Sequence, residues 1–349
     1  MDRDEIQTES QLETGAATNW ESVIGQKQLI QNLKNSLLHQ KISHAYMLQG
    51  EKLSGKKMVA DLFARALQCE SETERPCNKC RSCKQAIGRN HPDIVYISHE
   101  KPNVISVDNI REQLNGDIAI KPYSGPYKIY IMDEAEKMNQ QAQNALLKTL
   151  EEPPEYAVIL LLASNVEMML QTILSRCVVM NMKAVSNEEI KSYLMEKVQV
   201  PDYLANVCAS FARGNVGRAI SLASHEDFDQ MKNDVLSIVK NIEKIEFHQI
   251  SSAVKEIEEK KYDVNDYLDL CMIWYRDLLL MKAGNDTKHI IFSEEAFDLR
   301  RQSQKYSYEG IERIIHEIEH ARSRYKSNVN FQLTMEMLFL EMQNNSKSA

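Results

Sequence analysis

The chain has 349 residues, 43% apolar and 26% charged, the balance of a soluble globular protein with more length than the ~100–200 residues of one domain. No run of ~20 apolar residues could cross a bilayer, and the acidic start Met1-Asp2-Arg3-Asp4-Glu5 lacks the basic end and apolar stretch of a secretory signal, so a cytoplasmic location with reduced cysteines is expected. A formal net charge of −8 sets the whole-molecule field against phosphate, so any nucleic-acid contact must come from a local patch or from helix N-termini, and a protein partner is the first expectation.

Residues 1–18 form a polar leader, read as loosely ordered. From Asn19 to about Met182 short apolar runs alternate with amphipathic stretches, the pattern of a parallel sheet covered by helices on both faces. In chain order the spacing predicts helix Gln28–Leu38, strand Ala45–Gln49, helix Met58–Leu67, strands Ile94–Ile97 and Ile129–Met132, helix Gln140–Leu150, and strands Val158–Ala163 and Val178–Met180. After Met182 the strand pattern stops. A helix is expected to open at Ser186, with Glu188 and Glu189 in its first turn, where carboxylates suit the helix dipole. From about Phe228 to Met342 the stretches are long and amphipathic, notably Tyr267–Met281 and Gly310–Arg324, with an interruption around Ala283–Asn285. The expected organisation is an α/β domain over 19–182, a small helical domain over 183–228 and an all-helical domain over 229–349.

Four of the seven cysteines, Cys69, Cys77, Cys80 and Cys83, are spaced C-x7-C-x2-C-x2-C. Two-residue gaps let neighbouring thiolates converge on one ion, and the longer loop returns the fourth from the end of a helix, so a structural Zn²⁺ site is expected in a module over 69–83. Unrelated thiols or disulfides are the plainer alternative, and a reducing compartment disfavours the latter. Cys177, Cys208 and Cys271 are scattered and read as core residues.

Gly50-Glu51-Lys52-Leu53-Ser54-Gly55-Lys56-Lys57 follows a strand and precedes a helix, the context of a phosphate-binding loop. Gly50 and Gly55 allow the backbone to wrap phosphate, and Lys56 could reach its oxygens. The next position departs from the motif: a Ser or Thr hydroxyl there holds Mg²⁺, whereas Lys57 offers a cation. Downstream, Ile129–Met132 ends in Asp133-Glu134, the arrangement by which Walker B acids organise Mg²⁺ and water, although strands also end in acids for solubility. ATP or ADP binding is expected to be weak or absent.

Further strings support a resemblance. They are Trp20-Glu21-Ser22-Val23-Ile24-Gly25-Gln26, His91-Pro92-Asp93, the run from Asn144 to Pro154 with its Glu151-Glu152-Pro153-Pro154 end, Ser164-Asn165, Ser175-Arg176-Cys177 and Gly214-Asn215-Val216-Gly217-Arg218-Ala219. With the cysteine module placed after the phosphate-loop helix, they resemble the bacterial DNA polymerase III clamp-loader family of the AAA+ class, over nearly all of the chain after residue 18. The resemblance implies a RecA-like sheet with a zinc insert, a helical lid and a helical collar that joins an oligomer, the collar being carried by Trp274–Leu280, Asn328-Val329-Asn330 and Met335–Leu338. It also implies that Asn165 is the sensor 1 group and that Arg176 acts in trans, as an arginine finger on nucleotide held by a neighbour. On the residues alone, an arginine beside a helix end pairs with terminal carbonyls.

Gly217 stands where the family's ATP-hydrolysing subunits carry the sensor 2 arginine, and Arg218 points about 100° away around a helix. With Lys57, this departure directs the resemblance to the non-hydrolysing delta-prime type. Such a subunit works in a hetero-oligomer with gamma or tau and delta subunits that opens a sliding clamp on primed DNA. An active gamma/tau-type ATPase is the alternative, favoured by Lys56, Asp133 and Glu134; an AAA+ motor of another pathway does not suit the zinc spacing or the collar strings. For DNA, helix N-termini facing a central channel are the expected contact, with Arg111 one candidate.

Overall fold

Seven successive apolar residues, Ala157–Ala163, can only be buried on both faces, and in the computed structural model they form β4, the middle strand of a parallel sheet. Residues 19–99, 104–224, 226–284, 289–327 and 329–345 are described; the polar leader, Asn285 and Asn328 lie outside them. The other strands are β1 (Ala45–Gln49), β2 (Ile94–Ile97), β3 (Lys128–Met132) and β5 (Val178–Asn181), in the order β2-β3-β4-β1-β5. Register is set by pairs such as Met47↔Leu161 and Ile131↔Leu160.

Each face of the sheet has its own core. Leu33 of helix Lys27–Leu38 and Phe63 of helix Lys56–Leu67 pack with Tyr46, Ile129 and Leu160. Leu146 and Leu150 of helix Gln140–Glu151 pack with Met47, Tyr130 and Ile159. Helices therefore cover both faces, as expected for an AAA+ fold. The edge strand β5 is exposed along most of its length.

The chain packs as two compact units: one runs to Glu189 and takes in Gly214–Arg218, the other comprises Ile190–Arg213 and Ala219 onward. The second unit is helical among the described residues, with helices Val264–Gly284, Tyr308–Lys326, Glu226–Asn241 and Phe331–Asn345 its longest. Its core holds Trp274, whose indole N–H donates to Gln302 Oε1 at 3.0 Å, together with Tyr275, Leu278 and Leu338. Buried Asp269 accepts from Arg213 at 3.2 Å and also from Arg322. Fully buried Asp277 accepts the N–H groups of Ile291 and Phe292 on one oxygen, and burial pushes its carboxyl up to about 6. Among the described residues no helix is long and apolar enough to cross a membrane.

Candidate functional site

β1 delivers the chain into the Gly50–Lys57 loop at its carboxyl end, where parallel sheets bind ligands. Gly55, at φ 89°, turns through the left-handed region that glycine tolerates and leads into helix Lys56–Leu67. Lys56 is buried, and its Nζ donates to the carbonyl oxygens of Gly50 and Glu51, each at 2.7 Å, with Ser164 Oγ at 3.4 Å. Ser54 Oγ is buried in this loop without a hydrogen-bond partner.

The acids at the end of β3 meet resident cations. Lys57 Nζ lies 3.8 Å from Asp133 Oδ2, and Lys137 Nζ lies 2.6 Å from Glu134 Oε2, with His99 Nε2 3.7 Å from the same oxygen. Mg²⁺ demands a near-octahedral oxygen shell at ~2.0–2.1 Å. An ammonium at the position of the metal-binding hydroxyl offers no lone pair and repels a dication, so these residues do not fit Mg²⁺.

Asn165, expected as the sensor 1 group, is exposed, and its side chain caps the turn Val166–Met168 by accepting the Glu167 N–H at 2.9 Å. The polar group that faces Lys56 is its neighbour Ser164. A Cβ on Gly217 would stand 2.2 Å from the Leu53 carbonyl oxygen, so backbone rests on backbone at the point where a sensor 2 side chain would begin. Asn215 anchors that contact, with Nδ2 donating to Lys52 O at 2.8 Å and Oδ1 accepting the Arg218 N–H at 3.1 Å.

Arg176 lies between the short helix Gln171–Leu174 and β5. Its Nη2 is 2.9 Å from Glu151 Oε1, and its Nη1 donates to the Thr172 carbonyl at 2.9 Å. The helix-end contact expected on the residues alone is thus present, in a side chain that is still 36% exposed. Arg111 is exposed at the start of the wide turn Arg111–Asn115.

The four cysteines converge, their sulfurs lying within 4.8 Å of one another. Thiolates ~2.3 Å from one tetrahedral ion sit about 3.8 Å apart, and Cys77 Sγ and Cys83 Sγ are 4.0 Å apart. Backbone N–H groups already point at the sulfurs: Cys77 N–H at Cys69, Cys80 N–H at Cys77 and Cys83 N–H at Cys80, at 3.3–3.4 Å. The Lys79 and Cys80 N–H groups hold the Cys77 thiol down to about 6, whereas burial pushes Cys69 and Cys83 up. The donor set fits a metal ion.

The module is tied to its surroundings. Trp20 Nε1 donates to Arg75 O at 2.8 Å, and buried Arg65 donates to Asn78 Oδ1 at 3.1 Å. Ser82 Oγ is 2.9 Å from His91 Nε2, while His91 Nδ1 accepts the Asp93 N–H. Burial works against charge on Asp93, yet donors from Tyr123, Ser124 and Gly125 hold its carboxyl below the usual range. His91-Pro92-Asp93 is therefore a framework that fixes the module's helix and the loop before β3. Glu151, Ser164, Asn215, Lys137 and His99 were not singled out from the sequence; Glu151, Ser164 and Asn215 lie inside strings quoted there, whereas Lys137 and His99 carried no signal.

Comparison with known proteins places these features in context. The family model for "DNA polymerase III, delta subunit" matches residues 25–186, and that for "DNA polymerase III, delta subunit, C terminal" matches residues 226–344. Relatives include DNA polymerase III subunit delta' of Bacillus subtilis, 28% identical over 322 residues that make up 91% of this chain and 96% of that protein. The tau subunit of the same organism is 30% identical over 287 residues, 76% of this chain, which spans about half (50%) of that protein's length. Among solved structures, a gamma subunit-related protein of Thermotoga maritima is 22% identical with a TM-score of 0.43, covering 90% of this chain and 99% of that one. The Bacillus subtilis DNA clamp loader delta protein is 15% identical with a TM-score of 0.34, over the same shares of each chain, 90% and 99%.

Proposed function

Because the chain belongs to the family of DNA polymerase III clamp-loader subunits, we propose that it is a delta-prime-type member, one that does not hydrolyse ATP itself and lends Arg176 to nucleotide bound by a neighbouring subunit. The observation that carries this reading is the ammonium of Lys57 beside Asp133, which puts a positive charge where hydrolysis needs a metal. Lys137 on Glu134 has the same sense, adding a second ammonium beside the acids at the end of β3. Arg176 is half-exposed, and releasing a surface ion pair of its kind costs ~0.2–1 kcal/mol, so the guanidinium can leave Glu151 for a γ-phosphate.

In this role the chain works in the cytoplasm in a hetero-oligomer with gamma or tau and delta subunits, which opens a sliding clamp and closes it on primed DNA. The α/β domain to about residue 182 supplies the finger, the lid spans 183–228, and the helices over 229–349 form the collar. Cys69, Cys77, Cys80 and Cys83 hold Zn²⁺ as a structural ion, since four thiolates leave no open position for water. Lys56, Asp133 and Glu134, with the 30% identity to a tau subunit, favour a second reading as a gamma/tau-type ATPase. ATP turnover by the isolated chain, beside turnover of a loader reconstituted with and without it, separates the two. Motor-like hydrolysis by the chain alone would rule out the delta-prime reading.

A further inference from the structure

The cysteine module carries a charge pattern that holding a metal does not require. Between Glu74 and Asp93 the sequence has no acid and five cations, Arg75, Lys79, Arg81, Lys84 and Arg89, in a chain whose formal net charge is −8. Two of the five are occupied: Arg75 Nε donates to the Ser71 carbonyl at 2.6 Å, and Arg89 lies 3.6 Å from Asp61 with its guanidinium over the Tyr96 ring. Lys79, Arg81 and Lys84 are exposed, and among the described residues no carboxylate pairs with them.

The fold brings these three to one surface. Helix Arg81–Ile87 turns its other side inward: Ser82 meets His91, Cys83 joins the other sulfurs, and Ala86 packs against the core that holds Phe63. Arg81 and Lys84, three residues apart, share the outer side at about 4.5 Å along the axis. Lys79 stands two residues before the helix, next to Asn78, whose φ of 58° turns the chain between Cys77 and Cys80. Cations that offset clustered thiolates would point at the sulfurs, and that place is taken by the N–H groups of Cys77, Cys80 and Cys83. Arg65 on Asn78 and Trp20 on Arg75 fix the backbone that carries the surface, so little backbone freedom is left to lose on binding.

We propose that Lys79, Arg81 and Lys84 form a sequence-independent contact for the phosphate backbone of duplex DNA, carried by the cysteine module. The inference goes beyond the function proposed above and rests on it only for the presence of DNA. Three features select this ligand. Phosphate contacts need charge and reach alone, and charge is what the surface offers. The segment from Cys69 to Pro92 contains no Phe, Tyr or Trp, so it lacks the stacking platform on which single strands are held. It also lacks the aromatic anchors and apolar centre of a protein interface, Ile87 being its one large apolar side chain in the open.

The test titrates the full chain into a short fluorescein-labelled DNA duplex and follows anisotropy from about 25 to 200 mM salt. Three neutralised phosphates give a slope of log affinity against log salt of about −2.7. Lys79→Gln/Arg81→Gln/Lys84→Gln is expected to lose about tenfold or more in affinity at the lowest salt and to flatten the slope. Lys197→Gln/Lys244→Gln/Lys255→Gln, at three exposed lysines elsewhere, changes net charge by the same amount and is expected to bind as wild type does. Thermal melts and zinc content check that each variant is folded, and Lys84→Glu alone, expected to weaken binding several-fold, serves if the triple variant is not. Absent or salt-independent binding by wild type overturns the proposal, as does a module variant that binds like wild type or a control that loses as much. Polyglutamate that competes as well as the duplex at equal charge also overturns it, in favour of an acidic protein partner. Either inference can fail alone, because the finger is read as hydrolysis at a neighbour's site and this contact as the chain's own affinity for DNA.

Discussion

Replacing Arg176 by alanine separates the local from the intersubunit role by magnitude. Locally the guanidinium makes one ion pair, to Glu151, with side chains 36% and 52% exposed, and one hydrogen bond to the Thr172 carbonyl. Exposed ion pairs contribute ~0.2–1 kcal/mol and a hydrogen bond of that kind about 1 kcal/mol, so the isolated chain should lose at most about 2 kcal/mol. An arginine finger accounts for roughly 10³–10⁵ in rate, which at ~1.4 kcal/mol per decade is about 4–7 kcal/mol of transition-state stabilisation. The two roles therefore differ in size as well as in place. In a reconstituted loader carrying Arg176→Ala, assembly should be normal, while single-turnover hydrolysis at the site next to this subunit collapses and clamp loading falls with it. Total steady-state turnover should fall less, because the other sites keep their own fingers. Glu151→Gln is the control: it removes the same ion pair, costs the chain under about 1 kcal/mol, and should leave clamp loading intact. Normal assembly of Arg176→Ala with wild-type single-turnover hydrolysis at every site and wild-type clamp loading would falsify the reasoning.

The chain should purify with one Zn²⁺, and Cys77→Ser should loosen the ion and unfold the module locally; zinc-free protein prepared without chelator would count against the site. Because Trp20 donates to Arg75 in the module, removing the metal should also shift tryptophan fluorescence. The isolated chain should show only background ATP turnover in a phosphate-release assay, and Lys57→Thr alone should not raise it. Asp277, pushed up to about 6 by burial, keeps its proton in the folded state over an interval where an unfolded aspartate, at ~3.9, has lost it. Its contribution to stability is therefore best below about pH 4, falls as pH rises, and settles above pH 6 at a loss of roughly 3 kcal/mol. Asp277→Asn, whose amide oxygen can still accept the Ile291 and Phe292 N–H groups that one carboxylate oxygen holds, should flatten that slope in melts across pH 4–6. A slope across pH 4–6 as steep as that of wild type would contradict it.

The strands were readable because parallel strands are apolar on both faces: β4 needed no partner information, and β1 and β2 match the expected limits to the residue. Helix Lys56–Leu67 starts two residues before the expected Met58, since its first turn carries two lysines and only the left-handed Gly55 marks the start. Short helices escaped because they hold too few turns to show a period: Arg81–Ile87 is capped by Cys80, and Val107–Ile110 is a single turn with a Ser106 cap. In the site, the cysteines were legible because their spacing is local. Residue order gives the end of β4, but not which of two adjacent exposed side chains reaches Lys56, so Ser164 rather than Asn165 facing it could not be read. The pairing of Glu151 with Arg176, of His99 with Glu134 and of Asn215 with Lys52 spans long stretches of chain and depends on the sheet order.

The backbone contact at Gly217 leaves no room for a side chain there. Any side chain at 217 arrives 2.2 Å from the Leu53 carbonyl oxygen, so the phosphate loop would have to retreat by about 1 Å to reach ordinary contact. Overpacking of that kind destabilises by ~1–3 kcal/mol, and it falls on the loop whose shape phosphate binding requires. A Lys57→Thr/Gly217→Arg double variant, which restores both side chains of a hydrolysing subunit, should therefore melt lower than wild type and gain little turnover. Of the two exchanges the one at 217 is the harder, because main chain already rests where its side chain would begin.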